Sequence, residues 1–230
     1  MDRNLGATSA NPGAVGSLGL LYQWGRKDPF LGSSSILSNT DAKSTITWPS
    51  LVLSDSSTGT IAYAIANPTT FIVANDSNND WHYAGSSSID NTRWAPSEYA
   101  KSIYDPCPAG WRVPDGDDNG VWAKAFGSSS IIYDYPYHST NGGMDFCGSF
   151  GHMSTIWYPA SGCRNSSGIL VGVGYRGLYW SASPRDNDAY CMLFSSYGNL
   201  IPSSELGSRD TGKSVRCIKE PKRFFPMQAL

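Results

Sequence analysis

Charged residues are scarce in this chain of 230 residues, at 16%, and the formal net charge is only −2. Lys and Arg never run beyond two in succession. That leaves neither the basic footprint of a nucleic-acid binder nor a patch for an acidic membrane surface. Long apolar runs are missing too. No stretch approaches the roughly 20 apolar residues of a membrane-spanning helix, so direct membrane insertion is not expected. The opening Met1-Asp2-Arg3-Asn4-Leu5-Gly6 lacks the basic and apolar regions of an export signal, which places any such signal or anchor elsewhere. The five cysteines, Cys107, Cys147, Cys163, Cys191 and Cys217, include no C-x-x-C pair and no histidine at zinc spacing. Disulfides in an oxidising compartment are the better reading, with the odd count leaving a thiol unpaired or paired with another chain. No Ser-His-Asp or H-E-x-x-H arrangement is present. The three histidines, His82, His138 and His152, stand apart among loop-type residues and suit structural roles better than metal ligation. Neither a metal nor a cofactor is expected.

What the chain does have is aromatic side chains (13%), 24 glycines and 14 prolines, a composition of short strands and many ordered loops. Asn11-Pro12 reads as a helix start leading into the apolar run Leu18 to Trp24. Gly32 to Ser57 reads as surface loop, and Thr60 to Ala66 and Thr69 to Ala74 as β-type runs. Asn75 to Asn91 is polar, but Trp81, Tyr83 and Trp94 in and beside it predict a packed loop. No domain boundary is visible. Asp115 to Gly120 predicts an acidic, capped start to a short helix over Val121 to Phe126. Asp115, Asp117, Asn119 and Gly120 also match the first half of a calcium-binding EF-hand loop. Phe126, however, stands where a bidentate Glu must close the shell, so the helix-start reading is preferred.

From Ser154 onward, short β-like runs alternate with Gly, Pro, Ser and Asn: Thr155 to Tyr158, Ile169 to Val173, Leu178 to Ser183, Ala189 to Ser195 and Lys213 to Ile218. They predict a small antiparallel sheet. The intervening loops carry Arg185, Asp186, Asn187, Asp188, Tyr197, Asn199 and Ser203 to Asp210, which resembles a binding surface. Among the strand aromatics, Trp180 and Phe194 are assigned to the core.

Five ordered motifs carry a family resemblance: Met1 to Ala7; Tyr22-Gln23-Trp24-Gly25-Arg26-Lys27-Asp28; Tyr104-Asp105-Pro106-Cys107-Pro108-Ala109-Gly110-Trp111-Arg112-Val113-Pro114; Tyr179-Trp180-Ser181-Ala182-Ser183; and Ser214-Val215-Arg216-Cys217. Together they resemble the Fibrobacter succinogenes major paralogue domain, which also occurs in fimbrillin-like surface proteins of gut Bacteroidetes. The resemblance implies an α+β, C-type-lectin-like fold of short helices, small antiparallel sheets and long ordered loops. It covers 1–220 as a single ligand-binding domain whose N-terminal edge is truncated, with 221–230 as a tail outside it. It further implies a disulfide between Cys107 and Cys217. Cys147 and Cys163 are a weaker pair, and Cys191 is read as a buried small hydrophobe ahead of a thiol beside the ligand.

Function follows from the same resemblance as an expectation: a secreted or cell-surface adhesin, outer-membrane anchored or at a pilus tip, and no enzyme. Its ligand would be a protein or a glycan, and the missing N-terminal region would meet pilus stalk subunits. The expected contacts are Arg185, Asp186, Asn187, Asp188, Tyr190, Ser195, Tyr197, Asn199, Ser204 and Arg209, working as antibody loops do, with tyrosines giving rigid contact area and small polar groups adaptable hydrogen bonds. Some relatives are variable proteins of diversity-generating retroelements. In this chain such a variable segment would fall at Tyr179 to Arg216, where Met192 and Glu205 are not reachable from diversified Asn codons. The calcium-site tripeptides of sugar-binding lectins are absent. Two rival readings are a formylglycine-generating-type oxidase, which needs a cysteine pair from Cys147, Cys163 and Cys191, and a pilus subunit that adds Pro221 to Leu230 as a strand to a neighbour.

Overall fold

The computed structural model describes residues 1–40, 51–75, 78–85, 89–95, 97, 100–127, 137–146, 156–197 and 200–221, with the backbone alone for 202–204. In chain order its elements are β1 (Leu21–Gln23), β2 (Pro29–Phe30), β3 (Val52–Leu53), α1 (Ile61–Ala66), β4 (Ile72–Val73), β5 (Trp111–Arg112), α2 (Val121–Phe126), β6 (Tyr137–His138), β7 (Gly143–Asp145) and β8 (Trp157–Pro159). The last third adds β9 (Ser161–Arg164), β10 (Leu170–Val173), β11 (Arg176–Arg185), β12 (Asp188–Ser195), β13 (Leu200–Ser208), β14 (Gly212–Ser214) and β15 (Ile218–Lys219). The result is mostly β with few, short helices and several small sheets, which is compatible with an α+β reading.

The principal sheet runs β13-β12-β11-β9-β14-β1-β2, with β10 paired to β9 at its side. Most of it comes from the C-terminal third, where the short β-like runs predict a sheet, but it is mixed and not purely antiparallel as expected, since β11 pairs in parallel with β9 and β14. The apolar run after Asn11-Pro12 departs from expectation. Only Val15–Ser17 makes a 3-10 turn, and Leu21–Gln23 enters the sheet between β14 and β2. Gly19, at φ +71, stands at the change of direction; a Cβ there would lie 2.7 Å from the Asn4 side chain. Residues 60–66 depart in the opposite sense. The Thr60 hydroxyl accepts a hydrogen bond from the Tyr63 amide and caps a helix where a strand was expected. At α2 the helix itself is as predicted, but its cap is Gly120, with no acidic residue in the first turn.

Two buried clusters lie on opposite faces of the sheet. One gathers Trp24, Trp94, Trp180, Val215 and the Cys107 and Cys217 pair; the other gathers Met144, Phe146, Tyr158, Tyr179, Met192 and Phe194. Trp24, Trp81, Trp94 and Trp180 are all fully buried, and each indole N–H donates to a backbone carbonyl, of Ser181, Trp24, Arg26 and Tyr22 respectively. This meets the one polar need of a buried Trp. The Cys107–Cys217 disulfide is formed. Beside it β15 pairs with β5, and the Met1 amine donates to the Cys217 carbonyl at 2.7 Å.

Candidate ligand-binding face

Arginines are unusually deep in this core. Arg209 and Arg93 each place a guanidinium over the Trp24 ring, at 4.4 and 5.1 Å, and both pair with the buried Asp80 carboxylate. Arg209 has 0% exposure and spends its remaining donors on four further acceptors. Nε reaches the Asp188 carbonyl at 3.0 Å, Nη2 the Asp186 carbonyl at 3.0 Å and Asn91 Oδ1 at 2.6 Å, and Nη1 the Asp90 carbonyl at 3.4 Å. One side chain therefore pins the β11–β12 turn to the loop before Trp94. Burial holds its pKa below the usual arginine value, with Asp80 opposing.

Arg209 was expected as a surface contact, and its burial corrects that role to a positioning one. Ser195 is corrected likewise: it is 6% exposed, and its hydroxyl accepts from the Tyr197 amide. Ser204 falls on β13, where the pairing with β12 shifts register between Ile201 and Glu205, so the expected loop there is a strand. Asn199 lies outside the described residues.

The turn itself is exposed. Arg185 and Asp188 close the pairing of β11 with β12, leaving Asp186-Asn187 as the connection, and Asp186 sits at φ 49, a region Asp tolerates better than most residues. Arg185 Nη1 donates to the Tyr190 hydroxyl at 2.6 Å, so guanidinium and phenol form one outward unit. Its ion pair with Asp186 involves side chains 56% and 87% exposed and adds little stability. Arg185, Asp186, Asn187, Asp188 and Tyr190 thus come together. Tyr197, 85% exposed, stands at the other end of β12, roughly 25 Å away at the rise of a strand. The expected contacts therefore divide into a tip and a distant tyrosine.

Directly beside the tip is a cleft of about 400 Å³, lined by Asn91, Ala95 and Ser97 and by residues within 115–119 and 182–184. Its polar walls are Asn91, Ser97, Asp115, Asp117, Asn119 and Ser183. The walls are stitched together: the Ala182 amide donates to the Pro114 carbonyl at 2.7 Å, and the Gly116 amide to Ser183 Oγ at 2.9 Å. Gly116 is required for that approach, since a Cβ would fall 2.3 Å from Ser181 Oγ and 2.7 Å from Tyr190 Cβ. Arg112 holds Asp115, with Nη1 at 2.8 Å from Oδ1, and Asp117 Oδ1 accepts from the Asn119 amide at 2.7 Å. These lining residues were not among the expected contacts. The Asp115-to-Gly120 run did stand out in the sequence, but as a helix start.

The cysteines and histidines complete the inventory of reactive groups. Cys163 and Cys191 are free thiols, against a Cys147–Cys163 bond; Cys147 lies outside the described residues. Cys191 is buried, as expected of a small hydrophobe, and burial pushes its pKa up to about 12. His82 is half-buried with Nδ1 unpartnered, and burial, then Arg93, holds its pKa below 6.5. Among the described residues no group of three His, Cys, Asp or Glu side chains is placed to hold a metal ion, and no helix is long and apolar enough to cross a membrane. No known protein family, no curated protein and no solved structure matches the chain.

Proposed function

We propose that this chain is the ligand-binding domain of a secreted or surface-attached adhesin with a C-type-lectin-like fold, which meets its ligand through the β11–β12 tip. One observation carries the reading: Arg185 and Tyr190 project as a hydrogen-bonded unit from a turn whose backbone is fixed from beneath by the buried Arg209. A contact surface held in this way loses little conformational freedom on binding, and an Arg–Tyr pair combines charge, hydrogen bonding and a flat apolar ring. The resemblance over five motifs supports the fold and the surface location, and the Cys107–Cys217 bond suits an oxidising compartment.

If the segment is diversified by a retroelement, burial decides where change is cheap. Arg185, Asp186, Tyr197 and Leu206 are exposed, whereas Cys191, Ser195, Leu200 and Arg209 are buried. The test is a binding screen on glycan and host-protein arrays with three proteins: the natural chain, a tip variant with Arg185, Asp186 and Tyr190 changed to Ala, and Tyr197→Ala. Binding lost in the folded tip variant and kept in Tyr197→Ala is the expected result. Binding unchanged in the tip variant overturns the reading.

A further inference from the structure

We infer that the cleft beside the tip is a separate, metal-independent site for a neutral, hydroxyl-rich ligand, a saccharide unit in chemical class. The inference rests on which hydrogen-bonding positions the fold has already used. Asn91 Oδ1 is taken by Arg209, which fixes the amide and leaves its amino group as a donor. Ser183 Oγ accepts from the Gly116 amide, so its own proton remains to be given. Asp117 Oδ1 accepts from the Asn119 amide, and Oδ2 stays open as an acceptor. Among the described residues, the side chains of Ser97 and Asn119 hold no hydrogen bond, and each can both give and accept one.

The cleft therefore presents fixed donors and a fixed acceptor together, with no Lys, Arg or His among its described lining residues. An anion would face Asp117 with no cation among the described wall residues to balance it. An ammonium or guanidinium ligand has no acceptor to offer and would leave the Asn91 and Ser183 donors unmet. An apolar ligand would strip water from every one of these groups without replacing it. A hydroxyl gives one hydrogen bond and receives others, so adjacent hydroxyls on a ring match a carboxylate set beside amides. The Asp115 charge is already neutralised by Arg112. The volume, about 400 Å³, lies within the range of small-molecule sites.

The test uses the intact chain in EDTA-containing buffer, titrated calorimetrically with neutral disaccharides: maltose, cellobiose, lactose, mannobiose and diacetylchitobiose. The expected result is saturable one-to-one binding of at least one of them, insensitive to salt. Asp117→Asn keeps the shape and tolerates the positive φ of 59°, but exchanges an acceptor for a donor, and should weaken binding about tenfold. Ser97→Trp fills the cleft from an exposed position and should abolish binding, while the Arg185→Ala, Tyr190→Ala double variant should bind the sugar as before. The inference is overturned if none of the five binds at millimolar concentration, if binding disappears in EDTA, or if a diamine or a sugar phosphate binds in preference. Loss of sugar binding in the tip variant with retention in Ser97→Trp also overturns it, by moving the site to the tip.

Discussion

Arg209→Met keeps much of the aliphatic stem of the buried arginine and removes its charge and all of its donors. The structure sets the size of the effect. Five acceptors lose a partner: Asp80 Oδ2, Asn91 Oδ1 and the carbonyls of Asp90, Asp186 and Asp188. Asp80 keeps Arg93, so its charge is not left alone, and the carbonyls at the turn lie close enough to the surface to take water. Breaking a buried charged network of this kind costs about 3–5 kcal/mol, a large part of a typical domain's stability. In urea the unfolding midpoint should fall by roughly 2 M with the slope unchanged. Arg209→Lys offers three donors from one point in place of a planar fork, so it should fall between the two. Amide hydrogen exchange at Asp186 to Tyr190 should accelerate in both variants beyond the global change in stability. A loss below about 1 kcal/mol in Arg209→Met, or exchange at the turn no faster than elsewhere, would refute the idea that this side chain holds the tip.

Other outcomes follow from the same geometry. Replacing Cys107 and Cys217 by Ser should cost about 4–5 kcal/mol, because the bond spans 110 residues; the comparison is a urea titration of the double variant against the oxidised protein. Gly177→Ala would put a Cβ 2.1 Å from the buried Phe194 ring and should destabilise by about 1–3 kcal/mol, read as a lower thermal midpoint. The depressed pKa of His82 means the unfolded chain takes up that proton first as pH falls. Its contribution is intact above about pH 6.5 and is lost as pH falls through the lower value of the folded state. His82→Gln should therefore flatten the pH dependence of stability below neutrality, and an unaltered profile would contradict this. Iodoacetamide at neutral pH followed by peptide mass mapping should find Cys191 unmodified in the native protein and modified in urea, since the thiol is buried with a pKa near 12.

How much of this was legible beforehand depended on how local each signal is. β11 and β12 carry continuous apolar and aromatic runs, Leu178 to Trp180 and Ala189 to Phe194, and Trp180 and Phe194 lie in the core as expected. β13 was hidden because Leu200-Ile201-Pro202-Ser203-Ser204-Glu205-Leu206-Gly207-Ser208 has poor strand propensity. Among the described residues it pairs with β12 alone, at the sheet edge, where Pro and an irregular register are tolerated. α1 was misread because six residues rich in Ile and Ala fit either period, and the Thr60 cap was the better clue. At the candidate site the exposed Arg185 and the half-buried Tyr190 could be named from composition. Arg209 could not be separated from them, because its partners lie near residues 80, 90 and 186 and only folding brings them together. The cleft was invisible for the same reason, being assembled from three distant stretches of chain.

The Cys107–Cys217 bond also has a mechanical meaning. If the chain is pulled at its two ends, as a surface attachment would be under flow, the residues between the two cysteines cannot pay out. At about 3.3–3.6 Å per residue, the 110-residue separation withholds roughly 360–400 Å of contour length. β11, β12, the tip and two of the three stretches that build the cleft lie inside that protected loop. Stretching under load would therefore be confined to residues 1–106 and 218–230; it would strip Arg209 of Asp80, Asp90 and Asn91 and so loosen the tip's support, while β11 and β12 themselves stay tied within the loop.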